Sequence, residues 1–136
     1  MKQIINIFGV QSASSGHVEK LISTVGGFLG IWCIFLVTSH FFHGISAALI
    51  VASMGASAVL LFAVPNGPLS QPWPVMCGHL VSAFIGVSCY KLIPDMFLAA
   101  AIAVGLSIGV MHYLRCIHPP GGASALAAVV GGAEVH

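Results

Sequence analysis

One short run near the end of the chain combines helix-breaking, titratable and unshielded backbone groups. His118-Pro119-Pro120-Gly121-Gly122-Ala123-Ser124 lies between two apolar stretches, and Arg115 precedes it by about one helical turn. Prolines cannot lie inside a continuous helix, but they suit its first turn. A helix beginning there would direct the glycine amides outward, where no Cβ blocks a ligand. With the positive end of the helix dipole and the two basic side chains, this run is a candidate site for a small anion.

The same residues have a simpler explanation. A helix-breaking turn at a membrane interface, with Arg115 extending toward lipid headgroups, requires the same spacing. If the anion site exists and protonated His118 helps to hold the ligand, affinity falls as the pH rises through the pKa of its imidazole.

Further polar candidates lie inside other apolar stretches. Ser53 and Ser57 are four residues apart and share a helix face, so their hydroxyls either line one cavity or bond to carbonyls of their own helix. His79 lies within a predicted span and ranks second to His118, because titratable residues inside membranes are functional candidates. The predicted substrate-binding residues are Arg115, His118, Gly121, Gly122, Ser124, Ser57 and His79.

Support for catalysis or metal binding is weak. The acidic residues are Glu19, Asp95 and Glu134, all near the ends of predicted elements. No histidine–carboxylate array, nucleophile elbow, phosphate loop or pair of carboxylates is present. We therefore expect no enzyme activity, no metal and no cofactor.

The composition places these residues in a membrane. Of 136 residues, 58% are hydrophobic and 5% are charged, and the mean hydropathy is +1.05. Soluble domains carry about 25% charged residues, so the chain is predicted to be an integral membrane protein surrounded by a lipid bilayer. A formal net charge of +1 gives no indication of nucleic acid as a partner.

Apolar stretches predict an all-α membrane protein. Four are long enough to cross a hydrocarbon core of about 30 Å, and the fifth, after the His-Pro-Pro break, is short or truncated. We expect residues 1–20 to form an N-terminal interfacial segment and residues 21–136 to form the transmembrane domain. The five stretches are residues 21–42, 45–64, 75–93, 96–114 and 119–133.

The basic residues predict an orientation. Five alternating crossings place Lys2, Lys20 and Arg115 on one side and Lys91 on the other. Because lysine and arginine favour the cytoplasmic side, we expect a cytoplasmic N-terminus, in a bacterial inner membrane.

A short motif occurs twice. Gly55-Ala56-Ser57-Ala58-Val59 returns 67 residues later as Gly122-Ala123-Ser124-Ala125-Leu126. One intervening crossing would place the two copies in opposite orientations, and inverted repeats are typical of secondary transporters. Chance is the alternative, because the chain is rich in small residues.

Several motifs in fixed order resemble those of the HPP family of integral membrane proteins. They are the first copy of the repeated motif, Pro65, Pro68-Leu69, Gln71-Pro72, Gly78-His79 and the His118-Pro119-Pro120-Gly121-Gly122-Ala123 run. The resemblance covers roughly residues 45–136.

The resemblance implies a small multi-helix transporter. Some relatives are associated with nitrite, a small monovalent anion, so transport of a small anion is the leading hypothesis. Members usually continue past residues 131–136 into a further hydrophobic span, so we expect either a short form or a fragment. In either case a homo-oligomer would help to enclose a pathway.

Two other functions remain open. A structural or assembly protein without transport would depend on the GxxxG pairs Gly26/Gly30 and Gly105/Gly109, which allow close helix packing. A membrane-embedded enzyme or metal protein is the third hypothesis, and elemental analysis would test its metal form.

Overall fold

The protein is all-helical over the residues that the structure describes. The computed structural model describes residues 16–41 and 44–132, with only the backbone of residues 44–46, and these contain helices and turns but no strand. This confirms the predicted all-α fold. The helices are α1 (His17–Phe41), α2 (Gly44–Ala63), α3 (Pro72–Leu92), α4 (Met96–Tyr113) and α5 (Pro119–Gly132), with a 3-10 turn at Pro68–Ser70.

Three of these helices, α1, α3 and α4, are long and apolar enough to cross a membrane. The described side chains of α2, Ala47–Ala63, form a shorter apolar helix, so the count of four full crossings stays a prediction. The 14 residues of α5 span about 21 Å, less than the hydrocarbon core. The predicted interfacial segment lies mostly outside the described residues, and its last residues, Glu19 and Lys20, are in the first turn of α1.

Proline and aspartate determine where two helices begin. Helix α3 begins at Pro72, three residues before the predicted Val75, and includes Pro74 in its first turn. Prolines are tolerated there because the first turn has no intrahelical acceptors for its N–H groups. Helix α4 begins after Asp95, whose carboxylate accepts the N–H of Leu98 at 2.7 Å and caps the helix.

Helix α5 lies in the middle of the bundle and packs against α2, α3 and α4. Small residues bring α3 and α5 together: a Cβ on Gly86 would lie 2.6 Å from the carbonyl oxygen of Ala125. One on Gly121 would lie 2.9 Å from both Gly78 O and Ser82 Oγ. The four-residue spacing of Gly78, Ser82 and Gly86 is the sequence signal that could have predicted this contact.

The two predicted GxxxG pairs have different surroundings. The ring of Phe62 from α2 packs against Gly26 and Gly30 on α1. The carbonyl of Phe62 also accepts a hydrogen bond from the Ser23 hydroxyl at 2.6 Å. A Cβ on Gly105 or Gly109 would have nothing within 4 Å. Gly26 and Gly30 therefore pack α1 against α2, as predicted. Within the described residues, the prediction that Gly105 and Gly109 pack against another helix is wrong.

The ends of the helices divide the basic residues between the two ends of the bundle. The hydrogen bond from Ser23 to Phe62 O joins the start of α1 to the end of α2. A 3.1 Å hydrogen bond from Trp73 Nε1 to Leu114 O joins the start of α3 to the end of α4. Lys20 and Arg115 therefore share one end, and Lys91 lies at the other. This is the distribution that the predicted orientation needs, and the cytoplasmic side itself stays a prediction.

The tight contact at Gly86 predicts a difference between two equally small substitutions. Gly86→Ala should lower the free energy of unfolding by about 1–3 kcal/mol, because backbone and Ala128 would have to shift. Gly105→Ala, with open space around the new methyl group, should leave it unchanged or raise it by up to about 1 kcal/mol. Thermal unfolding of the detergent-purified variants measures both, and equal losses would contradict the packing described.

Candidate functional site

Five polar side chains from three helices and the α4–α5 connection form one continuous series of hydrogen bonds, here called the polar chain. Its members are Ser53, Ser57, His79, His118 and Ser124, and it ends on the carbonyl oxygens of Leu69 and Pro120. In order, the contacts are Leu69 O to His118 Nδ1 at 2.9 Å, His118 Nε2 to Ser57 Oγ at 3.0 Å, Ser57 Oγ to His79 Nε2 at 2.8 Å, His79 Nδ1 to Ser124 Oγ at 2.7 Å, Ser124 Oγ to Ser53 Oγ at 2.8 Å and Ser53 Oγ to Pro120 O at 3.0 Å.

The His-Pro-Pro break positions His118. Its own carbonyl accepts the N–H of Gly121 at 2.8 Å, and its ring is fully buried, with 0% of the residue exposed. The 3-10 turn before α3 supplies its partner Leu69 O, and the neighbouring Ser70 bonds to Leu60 O at 3.0 Å. Glycine is needed at position 78, because a Cβ there would lie 2.7 Å from that of His118.

His79 lies between the two copies of the repeated motif. Its two ring nitrogens bond to Ser57 and Ser124, which occupy the same position in the copies. Contacts from Ser57 to His118 and from Ser53 to Ser124 run in opposite order along α2 and α5, so these helices are antiparallel. This arrangement is compatible with an inverted repeat, and the repeat itself stays a prediction.

The two histidine rings are themselves in contact. The centroids of His79 and His118 are 4.9 Å apart, and the rings meet edge to face at 68°. Ser57 therefore bridges two imidazoles that are already neighbours. A positive charge on one ring would interact electrostatically with the other ring.

The polar chain extends from one end of the bundle toward its middle. Ser53 lies ten residues before the end of α2 at Ala63, which is about 15 Å along the helix axis. Ser53, Ser57 and His118 are buried, whereas His79 and Ser124 are half-buried. His79 and Ser124 are therefore the members of the polar chain that keep accessible surface.

The other predicted site residues lie around the polar chain rather than in it. Gly121 is buried and its N–H is already bonded, so the first turn of α5 offers fewer free amides than predicted. Gly122 lines a groove of about 300 Å³ with Pro119 and Ile117. Arg115 is exposed.

Arg115 has a backbone role at the end of α4. Its φ of 53° is in the left-handed region, where glycine is favoured. The N–H groups of Cys116 and Arg115 bond to Met111 O at 3.0 Å and His112 O at 3.2 Å, which is the Schellman pattern of a helix C-terminus. An exposed cation at this end also suits the helix dipole and lipid headgroups.

The site carries no built-in negative charge. Within the described residues the carboxylates are Glu19, in the first turn of α1, and Asp95, which caps the opposite end of α4. A charge on the polar chain can therefore arise only from a protonated imidazole, and such a charge attracts anions.

The sequence located most of the polar chain and missed its ends. The alternative prediction, that the serines bond to carbonyls of their own helix, matches one long contact from Ser57 Oγ to Ser53 O at 3.4 Å. The terminating oxygens of Leu69 and Pro120 are backbone atoms, and no side-chain motif marks them. The prolines around residues 65–72 indicated only that an irregular segment was present.

The chain was also compared with known proteins. Residues 12–136 match the family described as HPP, transmembrane region. A Dictyostelium discoideum protein described as a transmembrane protein is 37% identical over 113 residues, which is 79% of this chain and 39% of that protein. Another from the same organism is 36% identical over 127 residues, 90% of this chain and 41% of that protein. The chain thus spans about two fifths of these relatives, and no solved structure matches it.

Removing the bridging hydroxyl should destabilise the protein. Ser57→Ala leaves a ring nitrogen of both His79 and His118 without its partner, so the free energy of unfolding should fall by about 1–2 kcal/mol. Ser88→Ala is the matched control, because that hydroxyl bonds only to Phe84 O of its own helix, and it should cost less than about 0.5 kcal/mol. Thermal unfolding compares the variants, and equal effects would show that the bridge adds no stability.

Two substitutions separate the backbone and charge roles of Arg115. Arg115→Gly should raise the free energy of unfolding by about 0.5–1 kcal/mol, because glycine adopts the left-handed conformation without strain. Arg115→Ala removes the same charge but keeps the strain, so it should not stabilise. A similar loss in both variants, measured by thermal unfolding, would assign the residue a charge role instead.

Proposed function

The chain belongs to the HPP transmembrane family, and from that premise we propose that it moves a small anion across the membrane along the polar chain. The observation that carries the proposal is the bridge that Ser57 forms between half-buried His79 and buried His118. Polar groups inside a membrane bundle are costly, and they typically mark ligand or proton pathways.

The donors available at the bridge favour an anion over a cation. Imidazole and hydroxyl groups can all donate hydrogen bonds, and the described carboxylates lie at the helix ends. A small anion near His79 and Ser124 would be attracted by the positive charge of a protonated imidazole in the polar chain. A metal cation would need carboxylate or several unbonded imidazole ligands.

Nitrite is the first substrate to test. It is a small monovalent anion, and the family resemblance is what suggests it. The names of the two curated relatives say only that they are transmembrane proteins, so the substrate is part of the proposal. Arg115, Gly121 and Gly122 stay predicted contributors, placed beside the chain rather than in it.

The membrane and the assembly are further parts of the proposal. Lys20 and Arg115 at one end favour a cytoplasmic location for that end. Both relatives described above come from a eukaryote, so a bacterial inner membrane stays an expectation. A homo-oligomer that encloses the pathway stays an expectation as well.

The test is anion uptake into proteoliposomes that contain the purified chain. We expect nitrite uptake above that of protein-free liposomes, and at least a tenfold loss in His118→Gln, which cannot become charged. His40→Gln is the matched control, because His40 is exposed on α1 and bonds only to Leu36 O of its own helix. Its uptake should equal that of the unmodified chain.

Two outcomes would overturn the proposal. Undiminished uptake by folded His118→Gln would remove the polar chain from the pathway. A well-folded unmodified chain that moves no anion in a panel of nitrite, nitrate, formate and chloride would favour the structural or assembly protein instead. Thermal unfolding of each preparation verifies folding, and His79→Gln provides a second variant if His118→Gln does not fold.

A further inference from the structure

The polar chain ends at both sides on groups that can only accept hydrogen bonds. Leu69 O and Pro120 O are backbone carbonyl oxygens. Since Leu69 O accepts, the hydrogen of neutral His118 must be on Nδ1, and its Nε2 must accept from Ser57. The donor directions of the whole chain follow from these two ends.

A neutral chain has one hydrogen too few. Six contacts join its members, and each of the three hydroxyls and two neutral imidazoles supplies one hydrogen, five in all. The long contact from Ser57 to Ser53 O competes for a hydrogen that is already used. A chain with acceptors at both ends is complete only if one member donates twice, and an imidazolium is the member that can.

We propose that the polar chain binds one proton, shared between His79 and His118, and that this proton travels with the anion. With the proton on His79, its Nε2–H donates to Ser57, which donates to His118. With the proton on His118, its Nε2–H donates to Ser57, which donates to His79. In both arrangements the His79 Nδ1–H donates to Ser124, and all six contacts are made.

The transfer between the two arrangements is balanced at Ser57. As His79 Nε2 gives its proton to Ser57 Oγ, the hydroxyl releases its own proton to His118 Nε2. One N–H and one O–H bond break, one O–H and one N–H bond form, and the positive charge moves from one ring to the other. Both donor–acceptor distances, 2.8 and 3.0 Å, are within hydrogen-bond reach.

Few other titratable groups surround the two rings. Residues 47–71, which include the described part of α2 and the following turn, contain none, and residues 119–132 of α5 contain none. Helix α3 places Cys77 nearby, and α4 ends with the exposed His112 and Tyr113. The connection from α4 to α5 contains the exposed Arg115 and the buried Cys116. Among the described residues, the two imidazoles are therefore the members of the polar chain that can hold an added proton.

Burial makes the proton and the anion depend on each other. A lone charge inside the bundle is costly, but a proton and an anion that enter together are neutral as a pair. Each therefore strengthens the binding of the other, by the same factor in both directions. This inference rests on the proposed anion transport and adds that the transport is a symport with a proton.

Proton uptake can be measured without transport. Sodium nitrite is added at about pH 7 to detergent-purified protein in weakly buffered solution, and a pH indicator records the change against a protein-free blank. We expect about one proton taken up per chain, and an apparent Kd for nitrite that increases about tenfold per pH unit above neutrality. The same additions to His40→Gln should give the values of the unmodified chain.

Variants at the bridge test the relay itself. Ser57→Ala interrupts the transfer, whereas Ser57→Thr keeps a hydroxyl and should restore it. We expect Ser57→Ala to lose at least tenfold in proton-coupled nitrite uptake into liposomes and Ser57→Thr to recover most of it. Equal uptake in Ser57→Ala and the unmodified chain would overturn the relay, and His118→Gln gives an independent reading if Ser57→Ala unfolds.

The two proposals fail in different ways. Nitrite uptake that is insensitive to a pH gradient, with no proton taken up on binding, overturns the symport and leaves anion transport standing. Proton uptake on nitrite binding without any flux supports the proton site and overturns transport. Absence of both overturns both.

Discussion

The candidate site depends on one constraint: a polar ring inside a lipid-embedded bundle is costly unless it finds hydrogen-bond partners inside the protein. His118 shows how this is met. The His-Pro-Pro break places its ring, 0% exposed, between Leu69 O and Ser57. This position of the ring requires the carbonyl of Leu69 from the 3-10 turn and the hydroxyl of Ser57 from α2. It also requires glycine at position 78, where a Cβ would collide with His118.

Close helix packing makes this arrangement possible. Helix α5 reaches the polar chain because Gly78, Ser82 and Gly86 let its backbone approach α3. Without a hydrophobic driving force between helices in lipid, such contacts and internal hydrogen bonds hold the bundle together. The same small residues leave the serines of α2 and α5 facing His79, so the packing that stabilises the bundle also assembles the candidate site.

Each copy of the repeated motif contributes one serine to the site. His79 belongs to the helix between the two copies and bonds to an equivalent serine in each. Under the proposed transport function, this shared contact would change when the two halves move relative to each other, as in transporters with inverted repeats. The proposed proton would add its charge together with the anion, so anion binding would be coupled to the hydrogen-bond directions of the polar chain.

The sequence by itself determined the membrane class, the helical fold and the break at His118, because composition and proline act locally. It also singled out Ser57, His79 and Ser124, since polar residues in apolar helices are conspicuous. Only the tertiary structure decided that they form one chain, that Arg115 stays outside it, and that two carbonyl oxygens end it. These features depend on which faces of the helices pack together and on the positions of backbone carbonyl oxygens. The types of the individual residues do not determine either of these.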